Sequence, residues 1–60
     1  MSLPKDPFIL LSVLNTRLRD FYPTLDECCK AEDIDKDAVI HTLASIRYRY
    51  SAEKNQFVPA

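Results

Sequence analysis

Apolar residues recur with helical spacing in the first third of the chain. At about 100° per residue, one half of a helical wheel holds Leu10, Leu11, Val13, Leu14, Leu18, Phe21 and Tyr22. Asp6 can accept hydrogen bonds from free amides of a first turn, and Pro7 suits the first helical position. The pattern predicts a helix over residues 7–22 whose apolar face is the main wall of the core.

Three residues of this helix depart from the pattern. Phe8 and Ile9 lie outside the apolar arc, and Arg17 lies inside it. In the interpretation that we favour, Phe8 and Ile9 pack under the N-terminal tail and Arg17 extends its charged end to solvent. In the alternative interpretation, the helix carries a self-association surface made of Phe8, Ile9, Leu10 and Val13.

A short second helix follows. Pro23 ends the first helix, because its ring disfavours helical geometry at the residue before it. Residues 24–27 then fit a capping box, in which the Thr24 hydroxyl and the Glu27 carboxylate each satisfy a free amide. This signal predicts a helix over residues 25–32, whose apolar members are Leu25, Cys28, Cys29 and Ala31.

After a turn at Asp33 and Ile34, a third helix is predicted over residues 36–46. Asp35 is its expected N-cap, and an acidic residue in the first turn favours the positive end of the helix dipole. The apolar face consists of Val39, Ile40, Leu43 and Ile46. The outward face consists of Asp37, Ala38, His41, Ala44 and Ser45.

Beyond Ile46 the period of the pattern changes from helical to two. Ile46, Tyr48 and Tyr50 alternate with Arg47, Arg49 and Ser51, as in a strand with one apolar face. A four-residue loop over 52–55 would place Tyr50 opposite Phe57, whereas a three-residue loop would place Phe57 opposite Ser51. We favour the longer loop because it buries the Phe57 ring. A hairpin is therefore predicted over residues 47–58, with Asn55 as the candidate for a positive backbone angle and with Pro59 stopping the second strand after residue 58.

These elements predict one small domain over residues 1–60. Its class is mainly α: a three-helix bundle with helix-turn-helix order, followed by a C-terminal two-stranded β-hairpin, which is the order of a winged helix. Asp33 departs from that pattern, since such turns often carry glycine. A domain of this length buries only about 60% of the surface of its unfolded chain, so every apolar side chain matters to its stability.

The segments at residues 3–8, 18–20, 24–27, 34–36 and 55–57 carry a resemblance to a known family. In these segments the chain resembles a family of very short bacterial proteins described only as a domain of unknown function, number forty-two fifty. The resemblance implies a bacterial source and brings no activity, cofactor or site residue. Arg47 departs from the family, which favours a smaller or acidic residue at that position.

Composition and charge exclude several classes of protein. Hydrophobic residues make up 47% of the chain and charged residues 28%, which is typical of a folded domain and not of a disordered tail. The net charge is −1, so no global attraction to a polyanion exists. The N-terminus lacks the pattern of a signal peptide, and no apolar run approaches the roughly 20 residues of a membrane span. Cys28 and Cys29 are neighbours, which favours reduced thiols and a cytoplasmic location.

The sequence argues against an enzyme. A pocket for a small-molecule substrate typically measures about 300–1,000 Å³, which a chain of this length rarely encloses. His41 is predicted to face outward, away from Cys28 and Cys29, so a nucleophile and base pair is not expected. Two adjacent cysteines and one histidine lack the spacing of a structural zinc site, and the acidic residues around the second helix lack the pattern of an EF-hand. We expect no metal, cofactor or small-molecule substrate.

Two binding functions remain. As a winged helix, the domain would contact DNA or RNA through Lys36, His41, Arg47, Arg49 and Lys54. The outward face of the third helix carries no arginine, and the acidic turn before it would meet phosphate, so this function ranks second. We rank first a protein-interaction or assembly module, in which the surface around Phe8 and Ile9 contacts a protein partner or a second copy of the chain.

Overall fold

A computed structural model describes residues 3–60 as three helices followed by a two-stranded antiparallel hairpin, which confirms the predicted fold class. The elements in chain order are α1 (Pro7–Asp20), α2 (Leu25–Glu32), α3 (Lys36–Ala44), β1 (Tyr48–Ser51) and β2 (Gln56–Pro59).

All three predicted N-caps are confirmed. The side chains of Asp6, Thr24 and Asp35 each accept hydrogen bonds from backbone N–H groups two or three residues further on, at 2.8–3.2 Å. Each cap satisfies amides that have no partner within their own helix. The helix starts therefore follow directly from three side chains in the sequence.

Two helix ends come earlier than predicted. The predicted helix over 7–22 ends at Asp20, because Phe21 takes a non-helical backbone angle at the C-cap and Tyr22 precedes a proline. The predicted helix over 36–46 ends at Ala44. There the Ser45 hydroxyl donates to the Thr42 carbonyl oxygen at 2.6 Å and competes with the backbone, so that the chain tightens into a turn over residues 45–47.

One buried cluster connects the elements. Its members lie on all three helices and on β2, and they are Leu10, Leu14, Leu18, Leu25, Cys28, Cys29, Val39, Leu43 and Phe57. Two predicted core positions are wrong. Phe21 is 70% exposed because the helical spacing stops before it, and Ile40 is 38% exposed because it lies beside the buried stripe of Val39 and Leu43.

The interpretation of Phe8 and Ile9 as residues covered by the tail is wrong. Leu3 packs against the core, yet the Phe8 and Ile9 side chains stay 63% and 55% exposed. Met1 and Ser2, which belong to the predicted tail, lie outside the described residues. The interpretation of Arg17 is also wrong, since its guanidinium donates to the Glu32 carboxylate of α2 instead of extending to water.

The hairpin has the predicted register. Tyr50 pairs with Phe57 and Ser51 with Gln56, so the loop is the four-residue loop over 52–55. The Tyr50 and Phe57 rings lie 5.6 Å apart at an angle of 59°, within the range of favourable aromatic pairs. Asn55 takes the predicted positive angle, with φ 51°.

Asn15 attaches β2 to α1. Its Oδ1 accepts from the Phe57 N–H at 2.7 Å, and its Nδ2 donates to the Phe57 carbonyl oxygen at 3.2 Å. One amide side chain thus makes the two hydrogen bonds that a neighbouring strand would make to Phe57. Asn15 lies outside the apolar half of the predicted helix, so the sequence pattern gives no sign of this role.

Asn55 and Tyr50 attach the other end of the hairpin. The Asn55 Nδ2 donates to the carbonyl oxygens of Leu18 and Tyr22 at 3.1 and 2.9 Å, and its Oδ1 accepts from the Tyr50 hydroxyl at 2.6 Å. The same hydroxyl accepts from the Leu25 N–H at 3.2 Å. The loop is therefore joined to the last turn of α1 and the first turn of α2.

We expect Asn15→Ala to lower the free energy of unfolding by about 1–3 kcal/mol, because it leaves the Phe57 N–H and carbonyl without partners. Urea unfolding followed by circular dichroism measures the change. The matched control is Thr16→Ala at the next, exposed position, for which we expect a change of about 0.5 kcal/mol or less. Equal stability of the two variants would contradict the role given to Asn15.

Candidate interaction surfaces

The cationic residues predicted for nucleic acid do not all remain available. Lys36 is half-buried, and its Nζ donates to an Asp26 carboxylate oxygen at 2.6 Å. This hydrogen bond raises the pKa of Lys36 and lowers the pKa of Asp26. Lys36 therefore serves first to join the start of α3 to α2.

The other four predicted residues, His41, Arg47, Arg49 and Lys54, are exposed. His41 lies on the outward face of α3, together with the other residues predicted to be there, all of which are exposed. Arg47 precedes β1 at the base of the hairpin, whereas Lys54 lies in the loop at its opposite end. The structure spreads these cations along the hairpin instead of gathering them at one point.

The outer face of α1, defined by Phe8, Ile9, Ser12 and Thr16, is an exposed surface with two large apolar side chains. It differs from the self-association surface predicted from the sequence. Leu10 is only 3% exposed and belongs to the core, because it shares a stripe with Leu14 and Leu18. Val13 is half-buried at the margin. Two of the four predicted residues therefore form the exposed apolar part of this face.

A groove of about 650 Å³ runs between α1 and the hairpin loop. Phe8 lies in its wall, and its other lining residues include Leu11, Thr16, Arg19, Lys54 and Gln56. The Arg19 guanidinium makes two hydrogen bonds to the neighbouring Asp20, at 2.8 and 3.0 Å. The groove thus continues the exposed apolar surface of Phe8 toward the loop cation Lys54.

The two thiols are core side chains. Cys28 and Cys29 are both buried and free, and burial raises the pKa of each thiol. A raised pKa disfavours the thiolate, which is the reactive form of cysteine. Within residues 3–60, no group of three or more histidine, cysteine or acidic side chains is arranged to hold a metal ion.

Glu32 is the centre of a polar cluster between α1 and α2. Its carboxylate accepts from the Arg17 guanidinium and from the Tyr22 hydroxyl, the latter at 2.7 Å. The Tyr22 hydrogen bond, with a further contribution from Arg17, lowers the pKa of Glu32, and the same bond raises the pKa of Tyr22. The sequence pattern did not predict this cluster, although Arg17 inside the apolar arc is a signal for a polar partner on a neighbouring element.

The fold and these surfaces define a small helical domain with helix-turn-helix order, closed by a hairpin. The family described as "Domain of unknown function (DUF4250)" matches residues 4–57, so the chain belongs to that family. This finding confirms the resemblance seen in the sequence segments. Neither the curated proteins nor the solved structures that were compared contain a match to the chain. Among the described helices, none has both the length and the apolar character needed to cross a membrane.

We expect Glu32→Gln to remove a pH-dependent part of the stability. The lowered pKa of Glu32 means that its contribution is complete above the ordinary value of 4.5 and is lost as the pH falls through the folded value. Melting temperatures of the wild type and the variant should therefore differ at neutral pH and converge in acid. The control is Glu27→Gln on the exposed side of α2. A gap between wild type and Glu32→Gln that stays constant down to strongly acidic pH would contradict this account.

Proposed function

We propose that this domain is a non-catalytic protein-interaction or assembly module that binds through the outer face of α1. The observation that carries the proposal is that Phe8 and Ile9 are 63% and 55% exposed. A chain of 60 residues needs most of its apolar side chains to build a core, so two large ones left outside are unusual. Fully burying a side chain of this size contributes about 1.5–3 kcal/mol. The exposed parts of the two side chains together therefore offer about 2–4 kcal/mol to a partner that covers them.

The adjoining groove supports the same assignment. It extends the contact area from Phe8 toward the hairpin loop and ends near the cation of Lys54. An interface needs an apolar centre and a polar rim, and this surface offers both in Phe8 and Ile9 with Ser12 and Thr16 around them. The partner is a protein, either a second copy of the chain or another polypeptide.

The absence of catalysis is part of the proposal. The buried thiols, whose pKa values are raised, are poor nucleophiles, and His41 lies on the surface of α3. Reduced thiols support a cytoplasmic location, and the family resemblance supports a bacterial source.

Sedimentation at several protein concentrations tests self-association. We expect the wild type to associate as its concentration rises and Phe8→Ser to reduce that association, because the variant removes apolar contact area. Phe21→Ser is the matched control, since Phe21 is 70% exposed but lies at the far end of α1. It should leave the association unchanged.

Photo-crosslinking in the native cell tests a partner of different sequence. A benzoyl-phenylalanine at Thr16 should cross-link to a protein, and Phe8→Ser should weaken that product, whereas the same probe at exposed Ala44 should not yield it. A wild type that stays monomeric and gives no cross-link specific to Thr16 would contradict the proposal.

Nucleic-acid binding is the second candidate. The helix-turn-helix order and the exposed cations Arg47, Arg49 and Lys54 favour it. The ion pair of Lys36 with Asp26 and the acidic residues around it weigh against it, because phosphate would compete with carboxylates that are already present. It therefore ranks below protein contact.

An amide-shift titration with mixed-sequence duplex DNA at low salt tests this candidate. If the domain binds DNA as a winged helix, the amides of His41, Arg47, Arg49 and Lys54 should shift, and the shifts should shrink as salt is added. The variant Arg49→Gln should weaken them. Unchanged amide chemical shifts at these four residues would contradict nucleic-acid binding.

A further inference from the structure

The pattern of hydrogen bonds between β1 and β2 determines which backbone groups point away from the hairpin. The Ala60 N–H donates to the Arg47 carbonyl oxygen at 2.8 Å, and Tyr48 pairs with Pro59 in the register. Hydrogen-bonded and non-hydrogen-bonded pairs alternate along an antiparallel ladder. Arg49 with Val58, and Ser51 with Gln56, are therefore the hydrogen-bonded pairs. The N–H and carbonyl groups of Tyr48 and Tyr50 point away from β2.

The outer edge of β2 is closed. Phe57 pairs with Tyr50 in a non-hydrogen-bonded pair, so its N–H and carbonyl groups point away from β1. The Asn15 side chain makes a hydrogen bond to each of them. Two residues further on, Pro59 has no N–H to donate. A further strand cannot pair there without displacing Asn15.

The outer edge of β1 is open. Within residues 3–60, no hydrogen bond reaches the backbone N–H or carbonyl groups of Tyr48 and Tyr50 on this edge. Tyr48 and Tyr50 are half-buried as whole residues, and because buried backbone groups almost always have partners, we expect their four unpaired edge groups to be accessible to solvent. An edge strand with unpaired groups is a template for another strand.

Arg49 gives this edge a charge preference. Its side chain is exposed, and none of the ion pairs among the described residues includes it. On a strand added to β1, the residue opposite Arg49 occupies a non-hydrogen-bonded position, with Cβ atoms about 4.5–5.5 Å apart. A carboxylate at that position would lie directly beside the guanidinium.

We infer that the outer edge of β1 binds an extended acidic segment of another protein by strand addition. The backbone of the segment exchanges hydrogen bonds with Tyr48 and Tyr50, and an acidic side chain between these pairs contacts Arg49. A second copy of this chain fits less well, because the register that uses all four edge groups sets Arg49 against Arg49. This site is separate from the outer face of α1, so either assignment can fail without the other.

The probe is a blocked peptide of alternating valine and glutamate, titrated into the ¹⁵N-labelled protein. We expect saturable shifts at the Tyr48 and Tyr50 amides, and no such shifts with a peptide whose valines are N-methylated. Arg49→Glu should weaken binding about 1.5- to 5-fold, and a valine and lysine peptide should also bind the wild type more weakly. Lys30→Glu, a charge reversal at an exposed residue of α2, is the matched control and should bind the glutamate peptide like the wild type.

Three results would overturn the inference. The first is an absence of shifts at Tyr48 and Tyr50 with the glutamate peptide. The second is equal binding of the N-methylated peptide, which would place the contact on side chains. The third is slow hydrogen exchange of the Tyr48 and Tyr50 amides in a protein that sediments as a dimer, which would assign the edge to a second copy.

Discussion

A two-stranded hairpin is marginally stable by itself in water, so the hairpin of this domain depends on its attachment to the helices. Three polar side chains provide that attachment: Asn15 at β2, and Asn55 with Tyr50 at the loop. Phe57 reaches the core only while they hold the strand in place. In return, Phe57 completes a buried cluster to which all three helices contribute.

These attachments also decide which surfaces stay exposed. Asn15 satisfies the outward groups of Phe57, so β2 is closed, while the equivalent groups of Tyr48 and Tyr50 stay open on β1. The same helix turns its core stripe inward and leaves Phe8 and Ile9 outside. Two separate surfaces therefore follow from one packing arrangement, an apolar face on α1 and a cationic strand edge on the hairpin.

The sequence predicted what depends on near neighbours. Caps and turn residues act over two or three positions, and the pairing of Tyr50 with Phe57 follows from strand alternation and loop length. Helix ends were predicted less well, because the backbone angle at Phe21 and the side-chain bond of Ser45 decide them. The role of Asn15 could not be predicted, since its partner Phe57 is 42 residues away and a polar residue on a polar face carries no signal.

Arg47 has a strained backbone conformation and directly precedes the open edge of β1. It adopts a left-handed conformation, with φ 62°, like Asp33 and Asn55 in this chain without glycine. Aspartate and asparagine tolerate that region, whereas for arginine it costs about 1 kcal/mol. The conformation turns the chain from α3 into β1, and its carbonyl accepts the last bond of the ladder. Asparagine would make the same turn with less strain, whereas arginine places an exposed cation at the start of the β1 edge, two residues before Arg49.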